Sequence, residues 1–245
     1  MKKFNAFDLK ILMAALMVLD HLHYVPGLVP PFWDGIFHAL TRCVGVWFAY
    51  TAVEGFVYTS NLRRYLSRLY GWAFFMLAGN FILEHAFKYR VHVTNNIFLT
   101  LAVGVTLLSI FFLRIDIADL REKLIRWIGG GFVFLIGIFL TEGGLVILSF
   151  MLFTYAFREK ILLRNSLYFA LSAFLLLMSY QSYPTWSETL NMLLYNSDFL
   201  FISVLPFISL YNGERGPKTS FSKYFFYVFY PAHLWLIAYV AYLAV

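Results

Sequence analysis

Trp127-Ile128-Gly129-Gly130-Gly131-Phe132-Val133-Phe134-Leu135-Ile136-Gly137-Ile138-Phe139-Leu140 runs for fourteen residues without an ionisable side chain. A helix needs about 20 mostly apolar residues, at 1.5 Å rise each, to cross a hydrocarbon core of about 30 Å. Extended back to Leu124, this run approaches that length, and blocks like it recur along the chain. Of the 245 residues, 61% are hydrophobic and only 13% charged; mean hydropathy is +0.73. Soluble domains run at roughly 45–50% apolar and about 25% charged. The composition therefore excludes a soluble enzyme, a disordered tail and a secreted disulfide scaffold. It points to an all-α polytopic integral membrane protein, organised as a single transmembrane domain over residues 1–245.

Nine apolar segments are expected to form transmembrane helices: Leu9–Leu28, Phe32–Tyr58, Tyr65–Phe87, Asn96–Leu113, Leu124–Leu140, Gly143–Phe157, Leu167–Gln181, Phe199–Tyr211 and Tyr224–Val245. The sixth and eighth are short enough to be tilted, broken or re-entrant, which is tolerated only against protein or a water-filled cavity. The connections are too short for a soluble domain. Gly129-Gly130-Gly131 and Glu142-Gly143-Gly144 read as close helix packing and a tight turn rather than a phosphate cradle.

Net charge is +6, and its distribution sets an orientation. With the N-terminus in the cytoplasm, the inner segments hold Lys2, Lys3 and Lys10, then Arg63, Arg64 and Arg68. Arg114, Arg121, Lys123 and Arg126 follow, then Arg158, Lys160 and Arg164, and finally Arg215, Lys218 and Lys223. The outer loops hold only Lys88 and Arg90. Such a bias follows the positive-inside rule and implies an odd number of crossings, with the C-terminus outside. It also explains the basic pI without nucleic acid. The short basic N-terminus precedes an apolar run with no A-x-A cleavage pattern, so a retained first span is expected. Cys43 is the one cysteine, so the chain forms no internal disulfide and carries no cysteine-based zinc motif.

Ionisable groups at membrane depth are costly, which makes them candidates for function. Counting from Leu9, Asp20 and His21 lie about 16–18 Å from the inner face; counting from Phe32, Arg42 lies about 15 Å from the outer face. His233 lies about 14 Å beyond Tyr224. All four fall near the midplane of a core of about 30 Å. Adjacent helical residues point about 100° apart, so Asp20 is better placed to pair with Arg42 than to touch the His21 ring. Pro231 lacks a backbone donor and can bend the last span beside His233.

Glu54 falls about 33 Å after Phe32, near the inner interface, just before the basic run Arg63, Arg64 and Arg68. Arginine suits forked recognition of phosphate or carboxylate. At the outer face, Glu84, His85, Asn95, Asn96 and Glu142 are weaker candidates for lining an acceptor site. Most of the six tryptophans suit an interfacial belt.

Leu9-Lys10-Ile11 with Met17-Val18-Leu19-Asp20-His21 resembles the opening of the TraX family, named for the F-pilin acetylation protein. Arg42, Phe48-Ala49-Tyr50, Glu54-Gly55-Phe56, Tyr58-Thr59, Asn61, Tyr65 and Arg68-Leu69 are similar to its second block. Lys223-Tyr224-Phe225-Phe226-Tyr227 and Phe229-Tyr230-Pro231-Ala232-His233-Leu234 resemble its closing block. Cys43-Val44-Gly45 departs from the family's usual apolar-aromatic-proline run there.

The resemblance implies a membrane acetyltransferase, similar to the wider membrane acyltransferase superfamily that acetylates surface polysaccharides. Carried over, it implies acetyl-CoA as donor and His21 as the central base or nucleophile, supported by Asp20, Arg42, His233 and Glu54. Arg63, Arg64, Arg68 and Lys223 are expected to hold the coenzyme A phosphates, with Tyr224, Tyr230 and Asn96 as further substrate-binding residues. The acceptor is expected to be an extracytoplasmic glycan, lipid or peptide amine. No metal or nucleic acid is expected, and the location is the inner membrane of a bacterium. A proton-coupled transporter or flippase would use the same midplane groups, and a non-catalytic membrane subunit or sensor would need none of them.

Overall fold

The computed structural model describes residues 3–113 and 119–244. Lys2 and Arg114 of the basic tally, and the end of the last expected segment, lie outside them. Eleven α-helices follow one another among the described residues: α1 (Ala6–His21), α2 (Pro31–Thr41), α3 (Cys43–Tyr58), α4 (Leu62–Ala86), α5 (Ile97–Phe112), α6 (Leu120–Leu140), α7 (Gly144–Ala156), α8 (Ile161–Ser179), α9 (Trp186–Tyr195), α10 (Leu205–Leu210) and α11 (Ser220–Ala244). Short 3-10 helices cover Leu22–Tyr24 and Ser197–Val204. There is no β-strand among the described residues.

Each of the nine expected segments overlaps helix among the described residues, but their lengths differ, and the first, Leu9–Leu28, is helical only as far as Tyr24. Pro31–Tyr58, α4, α6, α8 and α11 are long and apolar enough to cross a membrane. Trp186–Tyr195 with Ser197–Leu210 makes a sixth if this pair, bent by 55°, counts as one span. α5 and α7, with 16 and 13 residues, reach only about 24 and 20 Å. α9 lies outside the nine segments expected from apolarity. Its start is nonetheless written in the chain: the Thr185 side chain accepts from the Glu188 N–H, and the Glu188 carboxylate accepts from the Thr185 N–H, a reciprocal cap that supports a short helix. α8 begins at Ile161, six residues before the apolar block, because a helix can carry Arg164 and Asn165 in its first turns where hydropathy sees a charged flank.

Two compact units divide the chain. The first comprises Met1–Trp47, Ala78–Thr94 and Phe169–Val245. Its N-terminus is tied down locally. Asn5 caps α1 by accepting from the Phe7 and Asp8 amides, and its own N–H donates to Asp8. Lys3 N and Ala6 N donate to the carbonyls of Leu210 and Glu214. Trp47 is fully buried, edge-on to Tyr211 at 5.6 Å, so it belongs to the core rather than to an interfacial belt. Trp33, Trp127 and Trp186 are exposed, as a belt requires.

The second unit comprises Phe48–Leu77 and Asn95–Tyr168. α5, α6 and α7 pack against one another through small residues, the usual device where lipid tails offer no competing hydrophobic drive. A Cβ on Gly144 would stand 2.5 Å from the Gly137 carbonyl oxygen, and one on Gly104 would stand 2.3 Å from Met151 Sδ. Gly143, at φ +60°, makes the turn between α6 and α7. The glycine-rich stretches thus serve packing and a turn. Gly129 and Gly131 meet nothing within 4 Å.

Candidate functional site

α1 ends at His21, and the chain then rises through the Leu22–Tyr24 turn before α2 returns. Thr41, the last residue of α2, meets Asp20. Asp20 therefore sits at the C-terminal end of α2, one α2 length, about 16 Å, from its start. The helix breaks at Arg42 between α2 and α3.

Two adjoining groups form there, both within the first unit. The first is a histidine pair. His21 is 4% exposed and His233 7%. His21 Nδ1 lies 2.7 Å from the Met17 carbonyl oxygen, and His233 Nδ1 lies 2.9 Å from that of Phe229. A carbonyl only accepts, so each Nδ1 carries the proton and each neutral ring has its lone pair at Nε2. His233 Nε2 approaches His21 Nδ1 at 3.3 Å, where it accepts a share of that N–H. Tyr24 stacks on His21 at 5.8 Å. Phe229 stacks on His233 at 4.9 Å, and buried Tyr230 meets it edge-on at 5.7 Å. The ring orientations are thus set by one backbone turn and by aromatic walls.

The second group is ionic. Arg42 Nη2 donates to Asp20 Oδ1 at 3.0 Å, Arg42 Nη1 to Asp198 Oδ1 at 3.1 Å, and Arg42 Nε to the His38 carbonyl at 3.0 Å. Thr41 Oγ1 donates to Asp20 Oδ1 at 2.5 Å, and His38 Nδ1 stands 3.5 Å from the same oxygen. His23 Nδ1 donates to the Asp20 carbonyl at 2.7 Å. The network neutralises Asp20 through Arg42, while the backbone step from Asp20 to His21 carries its rigidity into the histidine pair. Among the described residues, no group of three His, Cys, Asp or Glu side chains is arranged to hold a metal ion.

The helix bearing His233 packs on α1 and the Leu22–Tyr24 turn, and α4 touches it through Trp235. Trp235 Nε1 donates to Asn80 Oδ1 at 2.9 Å, and a Cβ on Gly79 would fall 2.1 Å from Trp235 Cζ2. α11 continues as helix through Pro231. Gly79→Ala is expected to cost about 1–3 kcal/mol by overpacking, of which alanine's better helix propensity recovers at most about 1 kcal/mol. Thermal unfolding in detergent checks this: a melting temperature equal to that of the unmodified protein would show that α11 yields freely.

Other sequence candidates lie elsewhere. Glu54 is half-buried and belongs to the second unit. Beside it, the Tyr65 hydroxyl donates to the Ala52 carbonyl at 3.2 Å and would be 2.6 Å from a Cβ on Gly55, which is why glycine follows Glu54. Arg63 and Arg64 are exposed on α4. Arg68 sits 5.6 Å over the Tyr65 ring and lines an open groove of about 320 Å³ with Gly71, Trp72 and Phe75. Lys223 is exposed, 4.8 Å over the Tyr224 ring, in the first unit.

The residues expected at the outer face make local structure. Asn96 caps α5, with its side chain accepting from Leu99 N and donating to the Ala73 carbonyl. Glu142 accepts from Asn95 Nδ2 and Asn96 N. Glu84 pairs with His92 at 3.2 Å, and His85 accepts from or donates to the Tyr89 hydroxyl at 2.6 Å.

Sequence reasoning missed His38, Thr41, His23, Asp198, Gly79 and Asn80. His38 precedes Arg42 by one helical turn and His23 follows Asp20 by three residues, so helical spacing could have found them. Nothing local marks Asp198, which meets Arg42 across 156 residues. No curated protein and no solved structure matches the chain. A family model described as TraX protein matches residues 7–241. That span holds both α1, which supplies Asp20 and His21, and the stretch of α11 that supplies His233, and by this match over nearly its whole length the chain belongs to the TraX family.

Proposed function

We propose that the protein is a membrane acetyltransferase that moves an acetyl group from acetyl-CoA to an amine or hydroxyl acceptor. The reading is supported by the family, whose namesake is an F-pilin acetylation protein, and by the resemblance to membrane acyltransferases in which an early-span histidine is essential. The single observation that carries it is the His21–His233 pair, buried and locked into Nδ1–H tautomers at the end of α1.

In this mechanism His21 Nε2 takes the proton of the acceptor O–H or N–H as that atom attacks the thioester carbonyl. The new bond forms to the acyl carbon, the C–S bond breaks, and the proton passes from His21 to the departing coenzyme A sulfur. Nucleophilic catalysis through an acetyl-histidine uses the same lone pair. His233 stabilises the His21 imidazolium through its accepting Nε2, and the Asp20–Arg42 pair holds the end of α1 in place.

The proposed topology has nine crossings, with the N-terminus cytoplasmic, the C-terminus outside and the protein in a bacterial inner membrane. The basic residues of the even-numbered connections support it. A reporter fused to the C-terminus is expected to be active only outside the cytoplasm, and cytoplasmic activity would overturn the orientation.

The function is tested with purified protein in proteoliposomes, radiolabelled acetyl-CoA on the cytoplasmic-equivalent side, and panels of amine and hydroxyl acceptors. Transfer of label, with release of free thiol in equal amount, is expected. Solute flux without thioester turnover would replace the reading with a transporter.

A further inference from the structure

Arg164 is the anomalous cation of the second unit. It lies in the opening turns of α8, at the end where α3, α5 and α7 also finish. Phe56 and Phe112 both pack on Tyr155 there, at 5.2 and 4.9 Å. The residue is only 8% exposed. Its Nε and Nη2 both point to one neutral acceptor, Asn165 Oδ1, at 3.3 Å each. Its guanidinium lies 5.8 Å from the ring centroid of Tyr168, which is itself fully buried and hydrogen-bonded to Thr154 at 2.7 Å. No carboxylate stands within ion-pair distance of Arg164 among the described residues.

Two half-buried arginines, Arg42 and Arg126, are balanced differently. Arg42 has the two carboxylates of Asp20 and Asp198. Arg126 spends its donors on the carbonyls of Ser109, Ile110 and Leu113, closing the end of α5. Removing a guanidinium from water costs several kcal/mol, and only a close counter-charge with good hydrogen bonds offsets that. One amide oxygen and an aromatic face supply no negative charge. Arg164 has five N–H donors in a planar fork suited to phosphate oxygens, and the Asn165 oxygen engages only one side of it.

We infer that Arg164, steadied by Asn165 and Tyr168, binds a phosphate group of an anionic ligand such as coenzyme A. The identity of that ligand rests on the acetyl-CoA reading above; the phosphate chemistry does not. A phospholipid headgroup offers the same chemistry, so the test must separate the two.

Calorimetric titration of the purified, detergent-solubilised protein with coenzyme A, inorganic pyrophosphate and pantetheine does so, using Arg164→Gln and Arg164→Lys. Arg164→Gln is expected to weaken coenzyme A and pyrophosphate binding tenfold or more and to leave pantetheine binding unchanged. Arg164→Lys, which keeps the charge but loses the fork, is expected to fall between. Matching elution profiles and melting temperatures establish that the variants fold, and if Arg164→Gln fails that control, Arg164→Lys carries the comparison. Coenzyme A binding unaltered in both variants overturns the inference. If the unmodified protein binds pyrophosphate through Arg164 but not coenzyme A, the acetyl-CoA reading fails while the phosphate site stands. If phosphatidylglycerol nanodiscs raise the melting temperature over phosphatidylcholine nanodiscs only when Arg164 is present, and coenzyme A does not bind, the ligand is lipid and the donor assignment falls.

Discussion

His21→Ala is expected to lower acetyl transfer in proteoliposomes by about a thousand-fold, within the range of about 10²–10⁴ that a positioned general base contributes. Alanine removes the lone pair at Nε2 and, with the ring, the contacts to Met17, Tyr24 and His233. His233→Ala is expected to lose less, about ten- to a hundred-fold, because His233 acts on the charge of His21 rather than on the acceptor proton. That ordering distinguishes the two histidines, which depth alone makes equivalent. Acetyl transfer undiminished in His21→Ala, with matching protein levels in the vesicles, would end the mechanism. The reverse ordering would move the base to His233.

Arg42→Gln is expected to destabilise the protein by about 3 kcal/mol, the lower end of the range for removing one partner of a buried pair. The Arg42 and Asp20 side chains are 19% and 23% exposed, so they are not wholly dry. After the substitution Asp20 keeps Thr41 and the His38 ring but loses its formal counter-charge. The double variant Asp20→Asn with Arg42→Gln is expected to be more stable than Arg42→Gln alone, since the two charges then vanish together. Melting temperatures of the three variants in detergent measure this. A double variant no better than the single one would show that Arg42 contributes through its bonds to His38 and Asp198 rather than by neutralising Asp20.

Much of this site is legible before any fold is known. Helical rise places Asp20, His21, Arg42 and His233 at one depth, and the rotation between neighbours sends Asp20 toward Arg42. His38 lies one helical turn before Arg42, a spacing visible in the sequence, but its approach to Asp20 is not. That approach depends on α2 packing beside α1. Asp198 is harder still. It sits in a 3-10 stretch after α9, a helix of only ten residues that lies outside the nine expected apolar segments. Asn96 shows a local role that its sequence position does not announce. A polar residue at a helix mouth looks available for substrate, yet here its side chain is occupied by the first turn of α5 and by the Ala73 carbonyl.

Composition and spacing alone settle that the chain is helical and rich in membrane-crossing length, because burial in lipid demands internally satisfied backbone and uninterrupted apolar runs. They also single out the few ionisable residues at depth, because the cost of charge there depends only on position along the helix. Which of those residues meet is a different matter. The contact between His21 and His233 joins positions 212 residues apart, where α11 packs against α1 and the Leu22–Tyr24 turn, and α4 adds the Trp235–Asn80 bond. Local sequence encodes rise and rotation. The choice of neighbour depends on close packing between helices, which only the folded chain resolves.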